Sequence, residues 1–78
     1  MQRWEYCLLS HVPSGPVVVH VTYYTTEGAR QETHRAKGYD EAMSVLWPSL
    51  IAKLGYEGWE LVSVDAGALY FKRLIADE

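Results

Sequence analysis

The chain has 78 residues, of which 49% are apolar, including three Trp, six Tyr and one Phe, and its formal net charge is −3. That composition excludes a disordered chain, which is poor in apolar and aromatic residues, and the slight acidity argues against wholesale phosphate binding. The single cysteine, Cys7, excludes an intramolecular disulfide and a cysteine-built zinc site.

So short a chain makes one domain, spanning residues 1–78. Its opening, M-Q-R-W-E-Y, lacks the apolar core of a signal peptide. The apolar run Val17 to Val19, interrupted by His20, is far too short to cross a bilayer. These features read as a soluble cytoplasmic protein.

Arg3 to His11 alternates Trp4, Tyr6 and Leu8 with Glu5, Cys7 and Leu9. A period of two with aromatic content predicts a strand, and the apolar character of both sets places it mid-sheet. Val12-Pro13-Ser14-Gly15-Pro16 is a turn. Val17 to Thr25 is a second strand, with Val17, Val19, Val21 and Tyr23 on one face and Val18, His20, Thr22 and Tyr24 on the other. After a tight connection at Thr26 to Ala29, the polar run Arg30 to Lys37 predicts an edge strand, where charge discourages further pairing.

Gly38-Tyr39-Asp40 opens a helix, with Asp40 as the expected N-cap. Met43, Leu46, Trp47, Leu50, Ile51 and Leu54 recur at the spacing of one buried helical face. Pro48 interrupts the bonding but not the stripe, which predicts one kinked helix. Gly55 suits the left-handed position that ends it.

Trp59 to Val64 and Leu69 to Leu74 form a hairpin across Asp65-Ala66-Gly67, read as a type I turn with a glycine bulge. That register sets Val64 opposite Ala68, Val62 opposite Tyr70, Glu60 opposite Lys72, Leu61 opposite Phe71 and Trp59 opposite Arg73. The expected fold is α+β: an antiparallel sheet of four to five strands with one amphipathic, Pro-kinked helix on one face, in the order β-β-β-α-β-β. Trp59, Leu61, Leu69 and Phe71 fall on the covered face. Val62, Val64 and Tyr70 fall on the other, which a second copy is expected to cover as a homodimer.

Trp4-Glu5-Tyr6, Leu54-Gly55, Glu57-Gly58-Trp59-Glu60-Leu61-Val62 and Tyr70-Phe71-Lys72-Arg73 carry a resemblance. The chain resembles a widespread bacterial family of small domains of unknown function with the signature W-E-Y, L-G-x-E-G-W-E-L-V-S-V and Y-F-K-R. The segment Val12 to Lys37 matches nothing specific in that pattern. The resemblance implies a small α+β domain with one helix on an antiparallel sheet, and it implies no activity.

Candidate chemistry is sparse. His11, His20 and His34 are the only histidines. Pairing across Glu27-Gly28 sets His20 opposite Arg35 and His34 opposite Val21, on opposite faces, which argues against a shared metal. Cys7 reads as a buried structural thiol. The serines lack a nucleophile-elbow context, and no glycine-rich phosphate loop is present. Glu60 is expected to pair with Lys72, and Glu57 to sit in the helix exit.

The strongest functional signal is the basic edge Arg30, Arg35 and Lys37 beside Tyr23 and Tyr24, a pattern that suits ligands or single-stranded nucleic acid. Glu27 and Glu32 dilute it, so nucleic acid is disfavoured. The sequence therefore predicts a non-enzymatic module that self-associates or binds a small ligand, without cofactor, metal or membrane. A weak single-stranded nucleic-acid binder is the alternative. A third reading is a small enzyme with its site at the oligomer interface and His20 or His34 as base.

Overall fold

The computed structural model describes residues 3–12 and 17–75, so the expected Pro13–Pro16 turn and the last three residues lie outside the described residues. The chain forms β1 (Trp4–Val12), β2 (Val18–Thr25), β3 (Gly28–Arg35), a helical run, β4 (Glu60–Asp65) and β5 (Ala68–Leu74). The helical run comprises α1 (Tyr39–Glu41), a π-helical segment (Ala42–Leu46) and α2 (Trp47–Tyr56). The five strands make one antiparallel sheet in the order β3-β2-β1-β5-β4. β1, apolar on both sides, takes the centre as its sequence predicts, and polar β3 takes an edge.

One layer of helix covers one face of this sheet. Cys7, Leu9, Val19, Val21, Tyr23 and Phe71 from the strands meet Leu50, Leu54 and the strand-leading Trp59 in a single core. Leu46, Trp47, Ile51 and Leu69 pack against its margin. A smaller cluster of Val17, Ala36 and Ala42 fastens the start of the helix to the end of β3. Leu54 is 1% exposed and Leu9 is fully buried, so their contacts carry the docking that a short helix needs in water.

The helix begins differently from expectation. Gly38, in extended backbone, is the N-cap and makes no side-chain cap bond; Asp40 lies inside the first turn. Glu41 reaches back instead, its Oε1 accepting the Lys37 N–H at 3.0 Å. The acidic side chain thereby satisfies the amide of the residue just before the N-cap, one position outside the capping-box partner.

Pro48 is accommodated by the π-helical segment immediately before it. The Trp47 amide donates to the Ala42 carbonyl, five residues back, and the backbone stays right-handed through Leu46 and Trp47. A widened turn carries the helix past a residue that cannot donate. The Ser49 hydroxyl donates to the Val45 carbonyl at 2.6 Å, satisfying an acceptor near the irregularity.

At the other end, Gly58 rather than Gly55 takes the left-handed position, with φ +94°; Gly55 lies within α2. The Trp59 N–H donates to the Leu54 carbonyl at 2.9 Å and the Gly58 N–H to the Gly55 carbonyl at 3.0 Å. These are the two bonds of a Schellman motif, and they place Trp59 beside Leu54. The helix therefore runs one turn fraction further than its first glycine suggests, and the E-G-W run reads as cap, left-handed residue and core anchor.

The β4–β5 hairpin follows the expected register at Glu60–Lys72 and Leu61–Phe71, then shifts. A bulge between Leu61 and Ser63 sets Ser63 opposite Tyr70, Val64 opposite Leu69 and Asp65 opposite Ala68. The turn is the two-residue pair Ala66-Gly67, both at positive φ (49° and 82°), so the expected three-residue loop is replaced by a tighter turn. Leu61 shares the face of Phe71 yet is 51% exposed, because β4 is the sheet edge and the helix does not reach it. The amide of Ile75 still donates to the Arg3 carbonyl at 2.9 Å, so the β1–β5 pairing persists to that residue.

The cap assignment has opposite consequences for two neighbouring glycines. Gly55→Ala meets no atom within 4 Å and removes a flexible residue from a helix, so it is expected to stabilise the fold by about 0.5–1 kcal/mol. Gly58→Ala forces a left-handed alanine whose Cβ lies 3.4 Å from Arg73 Cδ, and is expected to cost about 1–2 kcal/mol. Thermal melts of the two variants are expected to move in opposite directions; a loss of Tm in Gly55→Ala larger than in Gly58→Ala contradicts the assignment.

Candidate interaction face

Strand alternation sends a second set of side chains away from the helix. On β1 these are Trp4, Tyr6 and Leu8; across the ladder they stand beside Tyr24 and Thr22 of β2 and beside Leu74, Lys72 and Tyr70 of β5. No described element packs over them. Tyr6 is 53% exposed, Tyr24 47%, Tyr70 40% and Leu74 49%. The cation of Lys72 lies 4.2 Å over the Trp4 ring, which leaves the centre of the face apolar and aromatic with its charge held flat against an indole.

Of the three residues expected to form an oligomer face, Tyr70 lies here, opposite Leu8. The bulge removes the other two from their expected places. Val64 now stands opposite Leu69 on the helix side and is 62% exposed, and Val62 is the extra residue with no partner on β5. The larger part of the face comes from β1, whose doubly apolar pattern is the sequence signal for it.

The basic edge is divided by the same alternation. Tyr23 and Arg30 are cross-strand partners on the helix side, where Tyr23 is buried and the Arg30 guanidinium lies 4.4 Å over its ring. Tyr24 and Arg35 are on the uncovered side. Lys37 lies beyond β3. The five residues therefore do not form one surface.

The histidines are also dispersed. The β2–β3 turn is Thr26-Glu27, so His20 stands opposite Thr33 and His34 opposite Val19, two residues from the expected pairing. They remain on opposite faces. His20 Nδ1 is 3.3 Å from the Thr33 hydroxyl, and His34 Nε2 is 3.7 Å from Glu32 Oε1. His11 stands edge-on to Trp47 at 5.3 Å. Among the described residues, no group of three His, Cys, Asp or Glu side chains could hold a metal ion. No helix among them is long and apolar enough to cross a membrane. No family model, curated protein or solved structure matches the chain.

Cys7 is 2% exposed, and its thiol is pushed up to about 12 from 9.0, first by burial and then by the negative charge of Glu32. A thiol so protonated is a poor nucleophile. Tyr23 is raised from 10.0 to about 12 for the same two reasons. Because the folded chain holds both protons more tightly than the unfolded chain, their contribution to stability is complete below about pH 9 and is lost as the pH rises towards 12. Urea denaturation is therefore expected to give a falling midpoint above about pH 9, with a shallower fall in Cys7→Ala. Iodoacetamide at neutral pH is expected to label Cys7 only in denaturant; rapid labelling of the folded chain contradicts the burial.

Proposed function

We propose that the chain is a non-enzymatic cytoplasmic module that self-associates through the uncovered face of its sheet, with a second copy as partner. The supporting observation is the row Trp4, Tyr6 and Leu8 on the central strand, flanked by the exposed rings of Tyr24 and Tyr70. A two-fold axis over β1 sets this row against its own equivalent, with no charged residue on the outward side of that strand from Trp4 to Ser10. We also read the chain as a member of the bacterial family whose signature it resembles, a membership that brings no activity with it.

Size supports a reversible dimer. Four strand spacings give about 19 Å and seven residues give about 23 Å, hence a footprint of about 440 Å² per copy. Two such footprints approach the roughly 1,000 Å² that a specific interface needs, which suits association in the micromolar range. Edge pairing is the weaker route. The bulge in β4 interrupts one edge, and Arg30, Glu32 and Arg35 charge the other.

Exposed tyrosines on a sheet also suit base stacking. The face offers only Lys72 and Arg35 as cations on its strands, Lys72 already engaged with Trp4 and opposite Glu60, on a chain of net charge −3. A second copy is therefore favoured over single-stranded nucleic acid.

Sedimentation at tens of micromolar is expected to give a dimer for the natural chain and a folded monomer for Tyr6→Glu. A monomeric natural chain overturns the proposal, and a monomer that retains a labelled oligonucleotide at low salt replaces it with the nucleic-acid reading.

A further inference from the structure

On the helix side, away from the proposed dimer face, a cleft of about 250 Å³ lies between the β2–β3 hairpin and the end of α2. Tyr23 and Trp59 wall it, with ring centroids 5.9 Å apart. Both residues are 5% exposed. Neither the Tyr23 hydroxyl nor the Trp59 indole N–H has a hydrogen-bond partner among the described residues, and neither polar atom is sealed from accessible space. Two largely buried residues that line one cleft thus carry donors with no protein acceptor, open to a group that enters from outside. With its pKa raised to about 12, the phenol keeps its proton at neutral pH and stays a donor.

The charges around the cleft come in balanced pairs. Arg30 meets Glu32 at 3.1 Å, Lys53 meets Glu57 at 3.7 Å, and Arg73, over the Trp59 ring, meets Glu5 at 2.6 Å. A ligand with one net charge would unbalance this ring. A ligand with a carboxylate and an ammonium matches it, exchanging existing ion pairs for equivalent ones. The volume lies below the range of drug-sized ligands and fits a molecule of amino-acid size.

We propose that this cleft binds a small zwitterion of the amino-acid class. Its carboxylate accepts from Tyr23 and Trp59 beside Lys53, and its ammonium faces the carboxylates of Glu32 and Glu57. The ligand lies on the opposite side of the sheet from the proposed dimer face, so the two readings stand or fall separately.

The test follows the Trp59 indole N–H cross-peak by NMR, assigned with Trp59→Phe, while individual L-amino acids are added to the full chain. Acetate and methylammonium chloride at matched ionic strength serve as single-charge probes. At least one amino acid is expected to shift the peak saturably, where neither single-charge ion does so at the same concentration. Tyr23→Phe removes only the hydroxyl and is expected to weaken that binding about five-fold, and Lys53→Met, at an exposed position, by a similar factor. The monomeric Tyr6→Glu variant is expected to bind as the natural chain does. The proposal is overturned if no amino acid titrates the peak, if acetate saturates it with the same midpoint, or if Tyr23→Phe and Lys53→Met both leave the midpoint unchanged.

Discussion

A single helical run can cover one face of a sheet, and this sheet has two faces made largely of apolar and aromatic residues. Everything else about the molecule follows from how the chain divides them. The helix-facing set mixes aliphatic residues with Tyr23 and Phe71 and is tightly buried: Leu9, Val19 and Val21 have essentially no exposed surface, and both rings are at most 5% exposed. The opposite set is built from rings with polar tips, Tyr6, Tyr24 and Tyr70, together with Trp4 beneath Lys72. Tyrosine tolerates water at its hydroxyl while offering a flat apolar area, which suits a surface that is sometimes covered and sometimes wet. The asymmetry between the two sets is the physical basis for reading one as core and the other as an interface.

The helix is held to its face at one corner in particular. Gly58 turns the chain out of α2, Trp59 drops into the core beside Leu54, and Arg73 closes over the indole at 4.3 Å. From there Arg73 donates to Glu5 through Nε and Nη2 and to the Glu57 carbonyl through Nη1 at 3.0 Å. One side chain thereby joins β1, β5 and the helix exit. The same corner makes one wall of the cleft, so the motif that fixes the fold also shapes a part of the helix side where polar donors lie open. In that respect the conspicuous L-G-Y-E-G-W run has a structural reason first, and its chemistry comes from the residues that converge on it.

Much of this was legible in the sequence where residue types leave few choices. The alternation of β1 and β2, the polar edge of β3 and the helical stripe Met43 to Leu54 each specify an element and a face. In the hairpin, Glu60–Lys72 and Leu61–Phe71 were legible because each pair is chemically specific. Beyond them the register was not, since Ala66 at positive φ and the bulge at Val62 leave no signature in side-chain type. Two glycines three positions apart at one helix end compete for a single left-handed site, and hydrogen bonding to Leu54 and Gly55 decides for Gly58. The cleft was illegible for a different reason. Tyr23, Arg30, Lys53 and Arg73 come from four elements and Trp59 from the link between α2 and β4, and only the register of the whole sheet brings them together.

The account's central claim is that the uncovered face meets its own copy. Isotope-filtered NMR on a sample mixing labelled and unlabelled chains reads this directly, through contacts that can arise only between two molecules. The account predicts intermolecular contacts from the Leu8 methyl groups to the rings of Tyr6 and Tyr70 of the other copy. Intermolecular contacts confined to the helix or to the β3 and β4 edges, or none at concentrations where the chain sediments as a dimer, would contradict it.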